Sequence, residues 1–425
     1  MLTRRDWIAL VGLGGLGGAS LSLGCGDNLA RHEWADSATA ILEPGSTSFI
    51  VSVWARVATS VMIAVRADGA LVTLETLALG PSGSGALEVT GLTPDTQYEV
   101  VVTTGDGAEP APMFARTAPR DAELRAVRIA ISADVDPNPE FESAIVPALI
   151  AERPELFISL GDFPYTDDGP PAQTVDEYRA RHVNVRATPR FRDLLGAVGV
   201  RAIYDDHEFH NDWDARFVAA EPARYAAAVA VWDEFFPMRT TGEIRYRSWR
   251  WGAHLECFLL DCRRFRSANA APDDPRKTML GAAQLRWLLD GLRASTATFK
   301  LVLSSVPLDF GFGDDHWPAF GVERQTIFDA VVGVPGVVFA SADQHWFAAH
   351  RHAFGIREFQ VGPLARGIGA PPPAVDGVVF RHPAYNFATF EASADALIVT
   401  GVGAGGEHFY KETLTVGDLT PAHTR

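Results

Sequence analysis

Residues 126–162 read AVRIAISADVDPNPEFESAIVPALIAERPELFISLGD. The apolar run AVRIAIS passes into the polar SADVD, the helix-like NPEFESAIVPALIAE follows, and a second apolar run, LFISL, stops at Gly161-Asp162. Runs without polar alternation belong to strands covered on both faces, and their alternation with helices is the pattern of an α/β domain. Both runs end in carboxylates, Asp134 and Asp136 after the first and Asp162 after the second. In α/β sheets a ligand lies beyond the carboxyl ends of the strands, so the stretch that decides the fold also points to a site.

The same grammar continues to the C-terminus. A segment from Thr174 to Gly199 is predicted helical, VRAIYDDHE is a third strand, and IRYRSWRWGAHLECFLLDCRRF reads as a hairpin with Trp-Gly near its turn. GAAQLRWLLDGLRAS is an amphipathic helix, FKLVLSSVPL, GVVFASADQH and IREFQVGPL are later strands, and ATFEAS and ALIVTGV form a closing pair. Upstream of the linker TAPRDAEL the pattern differs: SFIVSVWARV, SVMIAVRA, GALEVTGL and YEVVVTT are short strands separated by Gly, Pro and Ser. That is an antiparallel β-sandwich signature. LEVTGLTPDTQYEVVVTT resembles the fibronectin type III pattern, with Leu92 and Tyr98 as core positions. The expected organisation is a small all-β sandwich over 35–119 and an α/β domain over 126–425.

A chain of 425 residues with 47% hydrophobic and 21% charged residues suits such a two-part globular protein. Its net charge of −16 argues against a nucleic-acid-binding or anionic-membrane surface, which requires clustered Lys and Arg. The first residues differ from the rest: Arg4 and Arg5 precede a Gly-rich, weakly apolar stretch from Trp7 to Gly26. This resembles a twin-arginine (Tat) export signal over 1–26, with a non-cleaved anchor as the alternative. Export to the periplasm or medium through the Tat machinery is the corresponding expectation. Cys25 stands where a lipoprotein signal is cut, after Ser22-Leu23-Gly24, an imperfect lipobox that leaves a lipid anchor open. Cys257 and Cys262, in ECFLLDC, fall on opposite faces of a strand, which predicts two buried thiols and no disulfide.

Four strand ends carry acidic or histidine residues: SADVD, LGDFPY, YDDHE and SADQH. Singly, each has a plain explanation as a solvated turn or a cap. Together they bring many carboxylates to one sheet end, an arrangement that is electrostatically expensive without a cation.

The order of these motifs, D-x-D, G-D-x-x-Y, D-H-E and a late D-x-H, resembles that of calcineurin-like metallophosphoesterases. LGDFPY, YDDHEFHND, SADQH, LDCRRFR, MLGAAQLRWLLDGL and LSSVPL look closest to the PhoD-type alkaline phosphatase branch. The resemblance implies an αββα β-sandwich flanked by helices and a site for two or more metal ions. It assigns Asp162 as the bridging carboxylate, with Asp134, Tyr165 and His345 at one ion and Asp206 and Asp343 at the other. Asp136 is a further ligand or an acceptor behind them. A phenolate among carboxylates favours Fe3+, whereas the oxygen-rich second site favours Ca2+, Mn2+ or Mg2+ and leaves Zn2+ less suited. His207 is implied as general acid, Glu208 as its orienter and Asn211 as an accessory to metal or phosphate; His210 reads as structural. The chain departs from the branch at Ser132-Ala133, where an iron-binding cysteine is common, and at Ser304-Ser305, where the wider superfamily has a histidine. Both departures leave the metals' identity open.

Arg351, Arg263 and Arg264 are candidate phosphate clamps, and Trp346, Trp317 and His316 candidate linings of the entrance, with FGDDHWPAFG as an active-site loop. The resulting expectation is a secreted metal-dependent phosphoesterase acting on small phosphate esters by attack of a metal-bridging hydroxide. Two alternatives stand beside it: a phosphodiesterase of phospholipid head groups, teichoic-acid-like polymers or nucleotides, and an inactive, metal-stabilised binding lipoprotein.

Overall fold

The computed structural model describes residues 37–104, 111–136, 145–239 and 244–423, so the segment holding the predicted export signal and Cys25 lies outside the described residues. Strands β1 (Ser37–Leu42), β2 (Ser48–Ala55), β3 (Ser60–Ala67), β4 (Ala70–Ala78), β5 (Ser84–Thr90), β6 (Gln97–Thr104) and β7 (Met113–Arg116) come first. They form two groups, β1-β2-β5 and β4-β3-β6-β7, which enclose a core of Phe49, Val51, Ile63, Val65 and Val100. Leu92 and Tyr98 are buried there, and the Tyr98 hydroxyl accepts the Thr93 N–H at 2.8 Å, pinning the corner before β6.

β8 (Val127–Ser132), α1 (Ile145–Ala151), β9 (Leu156–Ser159), α2 (Val175–Ala187), α3 (Pro189–Ala197) and β10 (Val200–Ala202) follow. β8, β9 and β10 pair in parallel. The segment read as one helix is two, because Thr188 precedes Pro189 and takes an extended ψ of 138°. The proline ring disfavours a helical conformation in the residue before it. Then come α4 (Ala215–Ala220), α5 (Pro222–Phe235) and the predicted hairpin, β11 (Arg247–Trp251) and β12 (Leu255–Leu259), turning at Gly252 with φ +72°. α6 (Gly281–Ala294), β13 (Phe299–Leu303), α7 (Gly321–Val331), β14 (Val337–Ser341), β15 (Phe347–Arg351), β16 (Arg357–Gln360), β17 (Val378–His382), β18 (Asn386–Ala392), β19 (Leu397–Gly403) and β20 (His408–Leu414) complete the order.

Two large sheets result, β20-β19-β18-β8-β9-β10-β1-β2-β5 and β11-β12-β13-β14-β16-β15-β17. Between them lies an apolar layer including Ile129, Ile131, Ile158, Leu301, Leu303 and Phe359. The outer face of the first sheet packs on α2, α3 and α5 through Phe157, Val200, Tyr178, Leu194 and Trp232. That of the second packs on α6 and α7 through Phe258, Val302, Leu288 and Phe328. The layers are therefore α, β, β, α. Cys257 and Cys262 are buried free thiols.

Of the N-terminal strands, β3, β4, β6 and β7 form a four-stranded sheet of their own. β1 meets β10 in parallel at Leu42 and Val200, so β1, β2 and β5 extend the first large sheet.

Candidate metal centre

The parallel order fixes where the polar residues go. β8, β9 and β10 of one sheet and β13, β14 and β16 of the other run in parallel within their sheets, and the turns after them converge. Oxygen or nitrogen atoms of Asp134, Asp162 and His345 lie within 4.8 Å of one another, as do those of Asp162, Asp206 and His207, and of Asp205, Asp206 and Asp343. Asp162 and Asp206 belong to two groups each and join the three into one cage. Tyr165 enters it through its hydroxyl, 3.0 Å from His345 Nε2.

The backbone is bent to aim these side chains. Asp134 (φ +60°), Asp162 (+56°), Asp343 (+79°) and His345 (+63°) all occupy the left-handed region that non-glycine residues avoid. Such strain gathers at functional sites because the surrounding fold holds it in place. The turns brace one another, with Asp134 N donating to Gly161 O at 3.2 Å and Val135 N to Asp162 O at 2.7 Å. Gly161 must be glycine: at φ +120° a Cβ there would stand 2.5 Å from Cβ of Asp205.

Asp162 Oδ2 and Asp206 Oδ1 are buried and make no hydrogen bond among the described residues. Burial pushes the Asp162 carboxyl well above its ordinary range, and the charges of Asp206, Glu208, Asp205 and Asp134 add to the rise. Asp206 moves the other way: burial opposes ionisation, but Arg263, 3.7 Å from Oδ1, and His207 hold it below the usual carboxylate range. Burial likewise raises the Tyr165 hydroxyl, helped by Asp162 and Asp134. Crowded, buried oxygen donors that resist ionisation lose that penalty when a cation is bound, so the residues present fit metal ions. His345 donates Nδ1–H to Gly367 O at 2.7 Å, which turns Nε2 toward Tyr165 and Asp134, the latter at 3.7 Å.

The His207 ring packs on Tyr165 in a tilted arrangement, with centroids 4.1 Å apart and planes at 32°. Its Nδ1 donates to Asp167 Oδ1 at 2.7 Å, and the other Asp167 oxygen accepts the Asn211 N–H at 2.7 Å. Asp167, not Glu208, is therefore the orienting partner. Glu208 instead accepts the backbone N–H groups of Phe163 at 2.8 Å and Asp205 at 3.0 Å, and burial pushes its carboxyl up to about 8.

Other expected residues fall outside the cage. Asp136 forms an ion pair with Arg366 and is absent from the convergent donor groups. Arg263 is fully buried and bound to both Asp205 oxygens (2.7 and 2.8 Å) and to Asp315 (2.9 Å), so it braces carboxylates and is not open to phosphate. Arg264 is bonded to the Tyr225 hydroxyl. Arg351 ends β15 and lines a different cleft. Trp317 is buried with its indole N–H on Ser304 Oγ at 3.0 Å, because FGDDHWPAFG closes into a turn of 3-10 helix over Trp317–Phe320. Trp346 packs on Phe310 and Phe312, and it and His316 are buried, so neither is a rim residue.

Two residues went unread in the sequence. Asp167 follows Tyr165 by two positions in LGDFPYTDD, where the acidic pair was the available signal. Arg366 lies over the Tyr165 ring at 4.3 Å, with Asp136 and Asp168 on its guanidinium, and only its place after the strand IREFQV hinted at it.

A family model described as PhoD-like phosphatase matches residues 142–374, more than half of the chain and the whole stretch from Asp162 to His345. The chain belongs to the PhoD-like phosphatase family. Alkaline phosphatase D of Bacillus subtilis (strain 168) is 24% identical over 242 residues, covering 46% of this chain and 42% of that protein. The chain thus spans less than half the length of that curated relative. Among solved structures, a structure of PhoD covers 89% of this chain and 88% of its own with a TM-score of 0.76 at 19% identity. The purple acid phosphatase PPD1 from yellow lupin (Lupinus luteus) seeds covers 91% and 75% with a TM-score of 0.68 at 11% identity. At these identities the likeness concerns the fold.

Proposed function

We propose that this PhoD-like family member is an exported, metal-dependent phosphoesterase acting on small phosphate esters. The observation that carries the reading is the pair of buried carboxylates, Asp162 and Asp206, with oxygens that make no hydrogen bond, flanked by His207. Ions bound there would supply Lewis-acid stabilisation of phosphate charge and a water acidified for attack. Asp134, Asp162, Tyr165 and His345 would hold one ion, for which the phenol favours Fe3+, and Asp162, Asp206 and Asp343 the second, for which oxygen favours Ca2+, Mn2+ or Mg2+. His207, fixed by Asp167, holds the proton that passes to the leaving-group oxygen. Arg263 favours the ionised form of Asp206 and braces Asp205 without reaching the substrate.

The test uses metal-stripped protein refilled with Fe, Ca, Mn or Zn and assayed on p-nitrophenyl phosphate and bis-p-nitrophenyl phosphate. Turnover of at least one substrate is expected, with a visible tyrosinate-to-iron band when iron is bound. His207→Ala is expected to keep the metal content and lose about 100-fold or more in kcat. Absence of turnover under every metal would reduce the protein to a metal-stabilised binding protein, and loss of metal from His207→Ala would make that residue a ligand.

A further inference from the structure

A second group of donors lies along β15, away from the cage. Asp309, His350 and His352 each place a donor atom within 4.8 Å of the others. His350 and His352 are two apart at the strand end and share a face, with ring centroids 4.1 Å from each other. They open on a cavity of ≈ 370 Å³ that Arg324, Phe328 and Asp376 also line. Four residues, Trp346 to Ala349, lie between His345 and His350, a path of at most about 17 Å.

The two imidazoles are set up as ligands. Glu358 is buried and accepts from Ser341 and from Leu308 N at 2.8 Å, so its carboxylate is rigid. It accepts His352 Nε2–H at 2.7 Å, which fixes the tautomer and leaves Nδ1 of His352 with its lone pair. A carboxylate behind a histidine is the usual support of a metal-binding imidazole. His350 is 3% exposed, and its Nδ1 is buried without a hydrogen-bond partner. A buried polar ring nitrogen left in that state is destabilising unless something outside the chain satisfies it.

We propose that Asp309, His350 and His352 bind one divalent ion of the Zn2+ class, separate from the catalytic cage. Two imidazoles and a carboxylate suit Zn2+ over Ca2+ or Mg2+, and three protein donors leave a fourth tetrahedral position for water. Arg324 is the built-in competitor: its Nη1 lies 3.2 Å from Asp309 Oδ1, and the same atom donates to Leu308 O at 2.6 Å. Asp309, with its side chain 47% exposed, is free to turn from Arg324 to the ion. Bound there, the ion would clip the segment after β13, which leads to Asp315 and His316, onto β15.

The experiment measures zinc uptake by the full chain carrying Asp162→Asn, which disables the cage, using equilibrium dialysis and elemental analysis. One zinc per chain is expected to remain. Adding Asp309→Asn should weaken that zinc by tenfold or more, whereas Arg324→Met, which removes the competitor, should tighten it severalfold. In the protein with an intact cage, Asp309→Asn should leave phosphoesterase turnover unchanged. No zinc in the cage-disabled chain, or affinity indifferent to both substitutions, would overturn the site. So would uptake of inorganic phosphate that Arg324→Met abolishes, because the cavity would then be an anion site.

Discussion

Asp167 divides its two oxygens between the His207 ring and the Asn211 backbone, each at 2.7 Å. An amide at that position keeps one acceptor and turns a donor toward the other partner, so the ring loses either its tautomer or its direction. Asp167→Asn is therefore expected to lower kcat by about 10–100-fold with KM and metal content nearly unchanged. Steady-state kinetics alongside elemental analysis checks it; a loss confined to KM would place Asp167 in substrate binding. Glu208→Gln should matter less to catalysis, because its carboxyl faces Phe163 N and Asp205 N and acts on the shape of the turn.

Among the elements, the junction between β1 and β10 carries an unusual load. A single parallel rung, Leu42 to Val200, is reinforced by Glu43, whose carboxylate is buried between Arg201 (2.8 Å) and Arg247 (Nε at 3.1 Å). Arg201 also reaches Pro44 O at 2.9 Å and lies 4.3 Å over Trp249, which draws β11 of the second sheet into the same joint. Burial alone would raise the Glu43 carboxyl, but Arg201 and Arg247 hold it below its ordinary value of 4.5. A carboxyl depressed on folding contributes stability that is complete above pH 4.5 and is lost as the pH falls through the lower folded value. Glu43→Gln leaves two buried guanidinium groups without their counter-charge, at a cost of roughly 3–5 kcal/mol. Urea unfolding at neutral pH should show that loss. The difference between the two proteins should shrink as the medium is acidified below pH 4.5.

For the molecule as a whole, the cage is made only when both sheets are packed. Asp134, Asp162 and Asp206 follow strands of the first sheet, and Asp343 and His345 follow β14 of the second. Stripping the metals with a chelator removes a ligand that binds only the folded chain, so the melting temperature should fall by about 1 °C for each kcal/mol of lost binding. The fall should also grow with pH. Asp162 has a carboxyl raised by burial and by its acidic neighbours, so in stripped protein its contribution is full below pH 3.8 and is lost as the pH rises through the folded value. Melting curves of loaded and stripped protein over a pH series rising from 3.8 would test this; a pH-independent gap would mean that the carboxylates are not the source of the penalty.

The α/β alternation, the hairpin at Gly252 and the acidic strand ends are legible in the sequence, because burial on two faces and turn chemistry are local properties written in residue order; the αββα layering was implied by the family resemblance. The five-residue strands β15 and β17 do not stand out in the sequence, nor does the break at Thr188, despite Pro189 standing next to it. What needed the tertiary structure was partnership. Asp136 and Arg263 carry the residue types of a ligand and a phosphate clamp, yet Arg366 takes the first and Asp205 the second. Asp167 took the orienting role expected of Glu208 because it faces the His207 ring, while Glu208 is turned to the backbone behind it. Sequence determines which groups arrive at the ends of the strands, since that follows from chain order and strand direction. Which of them meet a cation, a guanidinium or a backbone N–H depends on distances of a few ångströms between segments far apart in the chain, and only packing sets those.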